Sequence, residues 1–234
     1  CAKNTVDSDA MAQLLAKVNA IDGVERIRFV TSHPRDANED MFQAMATLPK
    51  VCESLHLPFQ SGSSQVLRRM YRGYSRERYL AKIARLRELM PEITLSTDVI
   101  VGFCGETDED FEQTLSLMRE VQFDSAFMFM YSPRRGTASA TSMIDDVPLA
   151  VKKERLSRLI EQQEAIAAAK NQQLIGRTFE VLVERPAKKS LGSLSGRTRG
   201  DKTVVFPADE SLAGTMASVR ITSANGHTLI GEVV

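Results

Sequence analysis

The feature that most constrains this chain is a change of hydrophobic period near Gly176. Upstream, apolar residues three and four apart alternate with short apolar runs of strand length. Downstream, apolar residues recur at every second position between Gly, Pro and Asn turns. Strand–helix alternation implies βαβ units and a parallel sheet, whereas short alternating strands imply a small all-β barrel. The reading is therefore an α/β region over 1–148, a helical connector over 149–175 and a β-barrel over 176–234.

In the first region the spacing predicts helices over 10–20, 41–48, 64–70, 76–90 and 107–120. Thr107 and Asp110 are spaced as a capping box for the last of these. Strands are expected at Arg26–Val30, Ser54–Leu57, Ile93–Gly102 and Phe123–Tyr131, with Asp98–Gly102 reading as a buried run. Four strands are too few to close an eight-stranded barrel, so an open or partial barrel is expected. Leu149–Ile175 is free of Gly and Pro and predicts one long helix. Beyond it, strands are expected at 178–183, 203–206, 217–221 and 228–233.

Composition excludes several classes. No run of about 18 uncharged apolar residues occurs, so no membrane span is expected. The three cysteines, Cys1, Cys52 and Cys104, are odd in number and far apart, which argues against a disulfide framework and for a reducing, cytoplasmic setting. The net charge is zero, yet basic residues cluster. Arg68, Arg69, Arg72, Arg76, Arg78, Lys82, Arg85 and Arg87 form one group; Arg177, Arg185, Lys188, Lys189, Arg197, Arg199 and Lys202 form another. Such segregation fits either a face presented to a polyanion or solvated helix faces. His33, His56 and His227 stand apart in sequence, and packing or capping is the expected role for each.

Two loops carry candidate chemistry. Leu57–Ser64 ends a strand with Gln60-Ser61-Gly62-Ser63, where parallel folds hold ligands at the carboxyl edge. Gly62 would admit close backbone approach, and the helix after Ser63 would offer free N–H groups. A polar turn capped by Ser63 is the other reading. Asp98–Thr107 is the second loop: a strand broken at Gly102 and Gly105 before an acid-started helix, able to receive a nucleoside.

Thr31-Ser32-His33-Pro34, His56–Ser63, Arg72-Gly73-Tyr74, Asp98–Thr107 and Tyr131–Ala138 occur in the order and spacing of MiaB-type radical-SAM tRNA methylthiotransferases, which the chain resembles over nearly its whole length. Residues 176–234 are similar to that family's TRAM domain, an OB-like barrel that grips tRNA. The resemblance implies part of a (βα) radical-SAM partial barrel followed by the TRAM barrel. It implies S-adenosylmethionine as cofactor, two [4Fe–4S] clusters in the full-length protein, tRNA as partner and an electron donor for the cluster. The implied reaction is methylthiolation at C2 of an N6-isopentenyl-type adenosine beside the anticodon. Carried over, Gln60, Ser61, Asp98, Gly102, Tyr131 and Ser132 would bind the cofactor, and Thr31, Ser32 and His33 would face the substrate. Arg177, Lys188, Lys189, Arg197, Arg199 and Lys202 would contact RNA.

Two departures stand out. The C-x₃-C-x₂-C cluster motif does not occur, so cluster ligands are expected outside this chain, which alone would be inactive. Cys104 stands where the family commonly has proline, and reads as packing rather than a ligand. Nothing demands an oligomer, so a monomer is expected. The competing reading is a non-catalytic RNA-binding module with a nucleoside-binding α/β domain.

Overall fold

The computed structural model describes residues 9–31, 33–188, 190 and 192–234. It divides into two compact units, residues 1–163 and residues 164–234.

The first unit is built on a parallel sheet of order β1-β2-β3, with β1 at Ser54–His56, β2 at Thr94–Val101 and β3 at Ser125–Met130. The expected strand at Arg26–Val30 is reduced to two parallel bridges beside β1, Ile27 with Val51 and Val30 with His56. Around the sheet lie α1 (Ala10–Asn19), α2 (Glu39–Thr47), α3 (Ser64–Arg69), α4 (Arg76–Leu89) and α5 (Asp108–Val121). The capping box forms: Thr107 Oγ1 accepts from Asp110 N and Asp110 Oδ2 accepts from Thr107 N, both at 3.2 Å. A short α6 (Ala138–Ser142), capped by Thr137, was not anticipated from the hydrophobic pattern because it contains no apolar periodicity.

The two faces of β2 differ. Leu95, Thr97, Val99 and Val101 are almost completely buried, while Ser96, Asp98 and Ile100 are partly exposed. The strand is therefore not the doubly buried run expected over Asp98–Gly102. On the buried side Thr97 Oγ1 donates to Leu57 O and accepts from Phe59 N, both at 3.0 Å. Phe59 stacks on Phe123 at 5.5 Å, and the buried Tyr79 hydroxyl donates to Leu57 O at 2.8 Å.

The expected long helix is α7, Leu149–Gln172, and the division between the units falls within it. The second unit adds β4 (Thr178–Pro186), β5 (Ser193–Thr198), β6 (Thr203–Pro207), β7 (Met216–Asn225) and β8 (Thr228–Val233). They close into a barrel of order β4-β5-β6-β8-β7, with β6 and β8 parallel. First-second-third-fifth-fourth with a parallel third and fifth is the OB-like arrangement. Val181, Val183, Leu194, Val204, Phe206, Val219, Ile221 and Leu229 fill it.

β5 is the strand that sequence patterning did not find. Ser193-Leu194-Ser195-Gly196-Arg197-Thr198 has the residues of a loop. Pairing on both sides, with β4 and β6, makes it a strand. Gly196 is required there, since a Cβ would lie 2.3 Å from Leu182 O.

Candidate functional site

The partly exposed face of the sheet brings polar and aromatic side chains together. Parallel sheets are ordinarily covered on both faces. Here register places Asp98 beside Phe127 and Ile100 beside Phe129, with His56 beside Ser96. Phe127 and Phe129 are 57% and 52% exposed. Val30 bridges to His56 and is 73% exposed. His56 is held from two sides: its Nδ1 lies 3.0 Å from Ser96 Oγ and its Nε2 3.4 Å from Asp98 Oδ1. Sequence reasoning selected Asp98 but missed His56, Ser96, Phe127 and Phe129. The signal was present as alternation, Ser96-Asp98-Ile100 against Leu95-Thr97-Val99, but the apolar residues on both faces obscured it.

Gln60 lies at the carboxyl end of this arrangement. It extends the pairing beyond β1, donating from its N–H to Asp98 O and accepting at its carbonyl from Ile100 N, each at 2.9 Å. Its φ of 66° is left-handed, a conformation that costs energy in a residue with a side chain and that concentrates at ligand sites.

The neighbouring groups are engaged within the fold. Ser61 is fully buried, with its Oγ 3.5 Å from Thr114 Oγ1. The close approach expected of Gly62 is made to α5 and not to a ligand: a Cβ would lie 2.4 Å from Gln113 O, and Gly62 N donates to Thr114 Oγ1 at 2.9 Å. Nor does α3 offer the two N–H groups of Gln65 and Val66, because the Ser63 side chain accepts both. Ser63 in turn donates to Asp110, which also receives Arg69 at 3.1 Å. Burial alone would raise the Asp110 carboxyl, but the bonds from Ser63, Thr107 and Arg69 outweigh it and hold it below the usual carboxylate range.

The Gly102 loop is fixed by α7. Gly102 has φ +71°, and the stem of Lys152 fills the space a side chain would need, 2.4 Å from the Cβ position. Gly102 N donates to Glu106 Oε2 at 2.6 Å. Glu106 is paired with Arg155 at 2.8 Å, both side chains being nearly fully buried. Burial pushes the Glu106 carboxyl up, against the opposing pull of the Gly102 N–H and Arg155. Lys152 Nζ reaches Asp145 Oδ1 at 2.5 Å and Tyr131 O at 3.3 Å. The Tyr131 ring meets Phe103 edge-on at 4.8 Å, and Ser132 is exposed.

The Thr31 hydroxyl donates to His56 O. His33 sits edge-on to Tyr74 at 5.4 Å, and its pKa is lowered by burial and then by Arg72. Ser32 lies outside the described residues, as do Lys189 and Cys1.

Much of the first basic cluster serves the fold. Arg69, Arg76 and Arg85 pair with Asp110, Glu120 and Glu39, while Lys82 and Arg87 donate to Ala37 O and Val121 O. The second cluster lies on the barrel. Arg177 stacks over Phe179 at 5.2 Å, Lys188 is exposed, and Arg197 pairs with Asp201 at 3.2 Å. Lys202 Nζ bonds Asn171 Oδ1 at 2.8 Å, and Arg199 lies in the β5–β6 turn.

The model of the radical SAM superfamily matches residues 4–118, and that of the TRAM domain matches residues 172–234. The chain thus carries a radical SAM domain and a TRAM domain. Three relatives bear the name tRNA-2-methylthio-N(6)-dimethylallyladenosine synthase. That of Moorella thermoacetica is 54% identical over 228 residues, covering 97% of this chain and 51% of the relative. That of Desulfitobacterium hafniense is 50% identical over 221 residues, covering 94% and 49%. That of Acetivibrio thermocellus is 47% identical over 232 residues, covering 99% and 48%. The resemblance read from the motifs is thus borne out, and the chain spans about half the length of the curated relatives it matches.

Radical SAM proteins use S-adenosylmethionine with an iron–sulfur cluster. The open face fits the first: a partly buried carboxylate and imidazole beside aromatic rings suit a nucleoside. It does not fit the second. Among the described residues no group of three His, Cys, Asp or Glu could hold a metal ion, and Cys52 and Cys104 are separate, buried thiols. Among these residues no helix is long and apolar enough to cross a membrane.

Proposed function

We propose that this chain supplies the nucleoside-facing sheet and the RNA grip of an enzyme that methylthiolates C2 of an N6-dimethylallyl-type adenosine in tRNA. The observation that carries this is the open face, where Asp98 and His56 lie beside exposed Phe127 and Phe129. S-adenosylmethionine would supply methyl and radical chemistry at that face. The longer protein would provide two [4Fe–4S] clusters through cysteines outside these residues, together with access for an electron donor.

The chain's own groups bind and orient. Asp98 would accept from ribose hydroxyls or an adenine amino group, and Gln60, bonded through its main chain to Asp98 and Ile100, would stand at the same strand ends. The Gly102 loop and Tyr131-Ser132 would border the adenosyl part, and Ser61, bonded to Thr114, would hold the Gln60 loop in place. Thr31 and His33 would serve the substrate side, Thr31 through its bond to the main chain of His56, with Ser32 as a further candidate outside the described residues. In the barrel, OB-like domains bind oligonucleotides on their second and third strands and the adjoining loops. By analogy Arg197 on β5, Arg199 and Lys202 at its turn, Lys188 after β4 and Arg177 ahead of β4 would contact phosphates, with Lys189, which lies outside the described residues, as a further candidate.

The test is titration of the chain with S-adenosylhomocysteine and with an anticodon stem-loop. Asp98→Ala should weaken the first about tenfold. Replacing Arg197, Arg199 and Lys202 by Ala should weaken the second and lower its log–log salt slope by about 2. Unchanged binding of both ligands would overturn the reading.

A further inference from the structure

The open face is divided into two chemically distinct strips. One is polar: Ser96, His56 and Asp98, joined at 3.0 and 3.4 Å. The other is apolar: Phe127 and Phe129, two apart on β3 and therefore on the same side of the sheet, with Asp98 the register partner of Phe127 and Ile100 that of Phe129. The strips meet at the His56–Phe127 contact, an edge-on pair with centroids 5.9 Å apart. A parallel sheet gains nothing from two phenyl rings more than half exposed on a face unless something apolar covers them. A ligand complementary to both strips is flat, carries hydrogen-bonding ring and amino nitrogens, and bears an apolar branch. Unmodified adenosine satisfies only the polar strip.

We infer that Phe127 and Phe129 seat the N6-alkyl branch of the substrate adenosine, with His56 at the edge of its ring and Asp98 left to S-adenosylmethionine. This rests on the nucleoside-modifying reading above. It makes the α/β sheet, and not the RNA-binding barrel, the element that distinguishes alkylated from unmodified adenosine. Burying a five-carbon branch against two rings favours the alkylated nucleoside by about tenfold, the discrimination that apolar pockets typically give for small hydrocarbon differences.

The experiment titrates the full 234-residue chain with N6-dimethylallyladenosine and with adenosine, by ligand-observed NMR or calorimetry. Both phenyl rings are more than half exposed, so Phe127→Ser and Phe129→Ser leave no core cavity, and thermal melts verify that the variants fold. The alkylated nucleoside should bind about tenfold more tightly. Each serine variant should bring the two ligands within about threefold, and Phe127→Leu should keep most of the gap. Equal affinity for the two nucleosides, or a preference that survives both serine substitutions, overturns the inference. Failure of both nucleosides to bind also overturns it. In that event a parallel titration with S-adenosylhomocysteine separates the cases: retained binding leaves the broader function standing, and lost binding removes both.

Discussion

β2 has two faces, and they do different things with adjacent residues. Leu95, Thr97, Val99 and Val101 are locked between helices and strand neighbours; Ser96, Asp98 and Ile100 look onto a face where phenyl rings stand exposed. The buried face is saturated: Thr97 spends its hydroxyl on Leu57 and Phe59, and the loop behind it is closed by Ser63, Asp110, Thr114 and Gly62 packing on α5. The open face keeps polar groups at an edge where a ligand can meet them. Stability and recognition are thus separated by a single residue of register, because side chains alternate along a strand.

The comparison can be broken most forcefully where α7 clamps the Gly102 loop. Arg155→Ala leaves the Glu106 carboxylate buried without its counter-ion, and should cost about 3–5 kcal/mol in urea denaturation. Adding Glu106→Gln removes the stranded charge and should restore part of that loss. A loss below about 1 kcal/mol for Arg155→Ala would mean the clamp contributes little.

Next comes the strand itself. Leu95→Ala should destabilise the first unit by about 2–5 kcal/mol, as expected for a buried leucine. Phe129→Ser, on the open side, should stay within about 1 kcal/mol while weakening binding of the alkylated nucleoside. Comparable destabilisation by both substitutions would erase the distinction between the faces.

The smallest expected effect is on pH. Asp110 has a depressed carboxyl, so its contribution to stability is present above the usual carboxylate range and is lost as pH falls through its folded value. Asp110→Asn should therefore flatten the acid limb of a stability–pH profile, measured between about pH 6 and pH 3, with little change in its neutral slope. An unaltered acid limb would show that the bonds from Ser63, Thr107 and Arg69 are not maintained in solution.

Much of the fold was legible because local chemistry and tertiary placement agree. Thr107 and Asp110 announce the start of α5, the uninterrupted 149–172 stretch announces α7, and the change of period announces the barrel. Legibility failed where packing overrides composition. β5 has the residues of a loop and becomes a strand only through two neighbours and a glycine that lets Leu182 O approach. The Arg26–Val30 segment has the residues of a strand, yet pairs only through single bridges beside β1. In the candidate site, Gln60 and Asp98 could be chosen from strand-end position alone. His56 and Phe127 could not, since their meaning depends on which strand lies beside which.

By itself the sequence determined two architectures, their order along the chain, the motif set that ties them to radical SAM and TRAM proteins, and a cysteine content that contains no cluster motif. Local periodicity, capping residues and motif spacing suffice for that. Only the tertiary structure decided that Ser61, Gly62 and Ser63 are spent inside the fold, that Lys152 and Arg155 hold the Gly102 loop, and that a histidine 42 positions before Asp98 shares its face. Those facts follow from strand register and burial, which couple residues distant in sequence and leave no local trace.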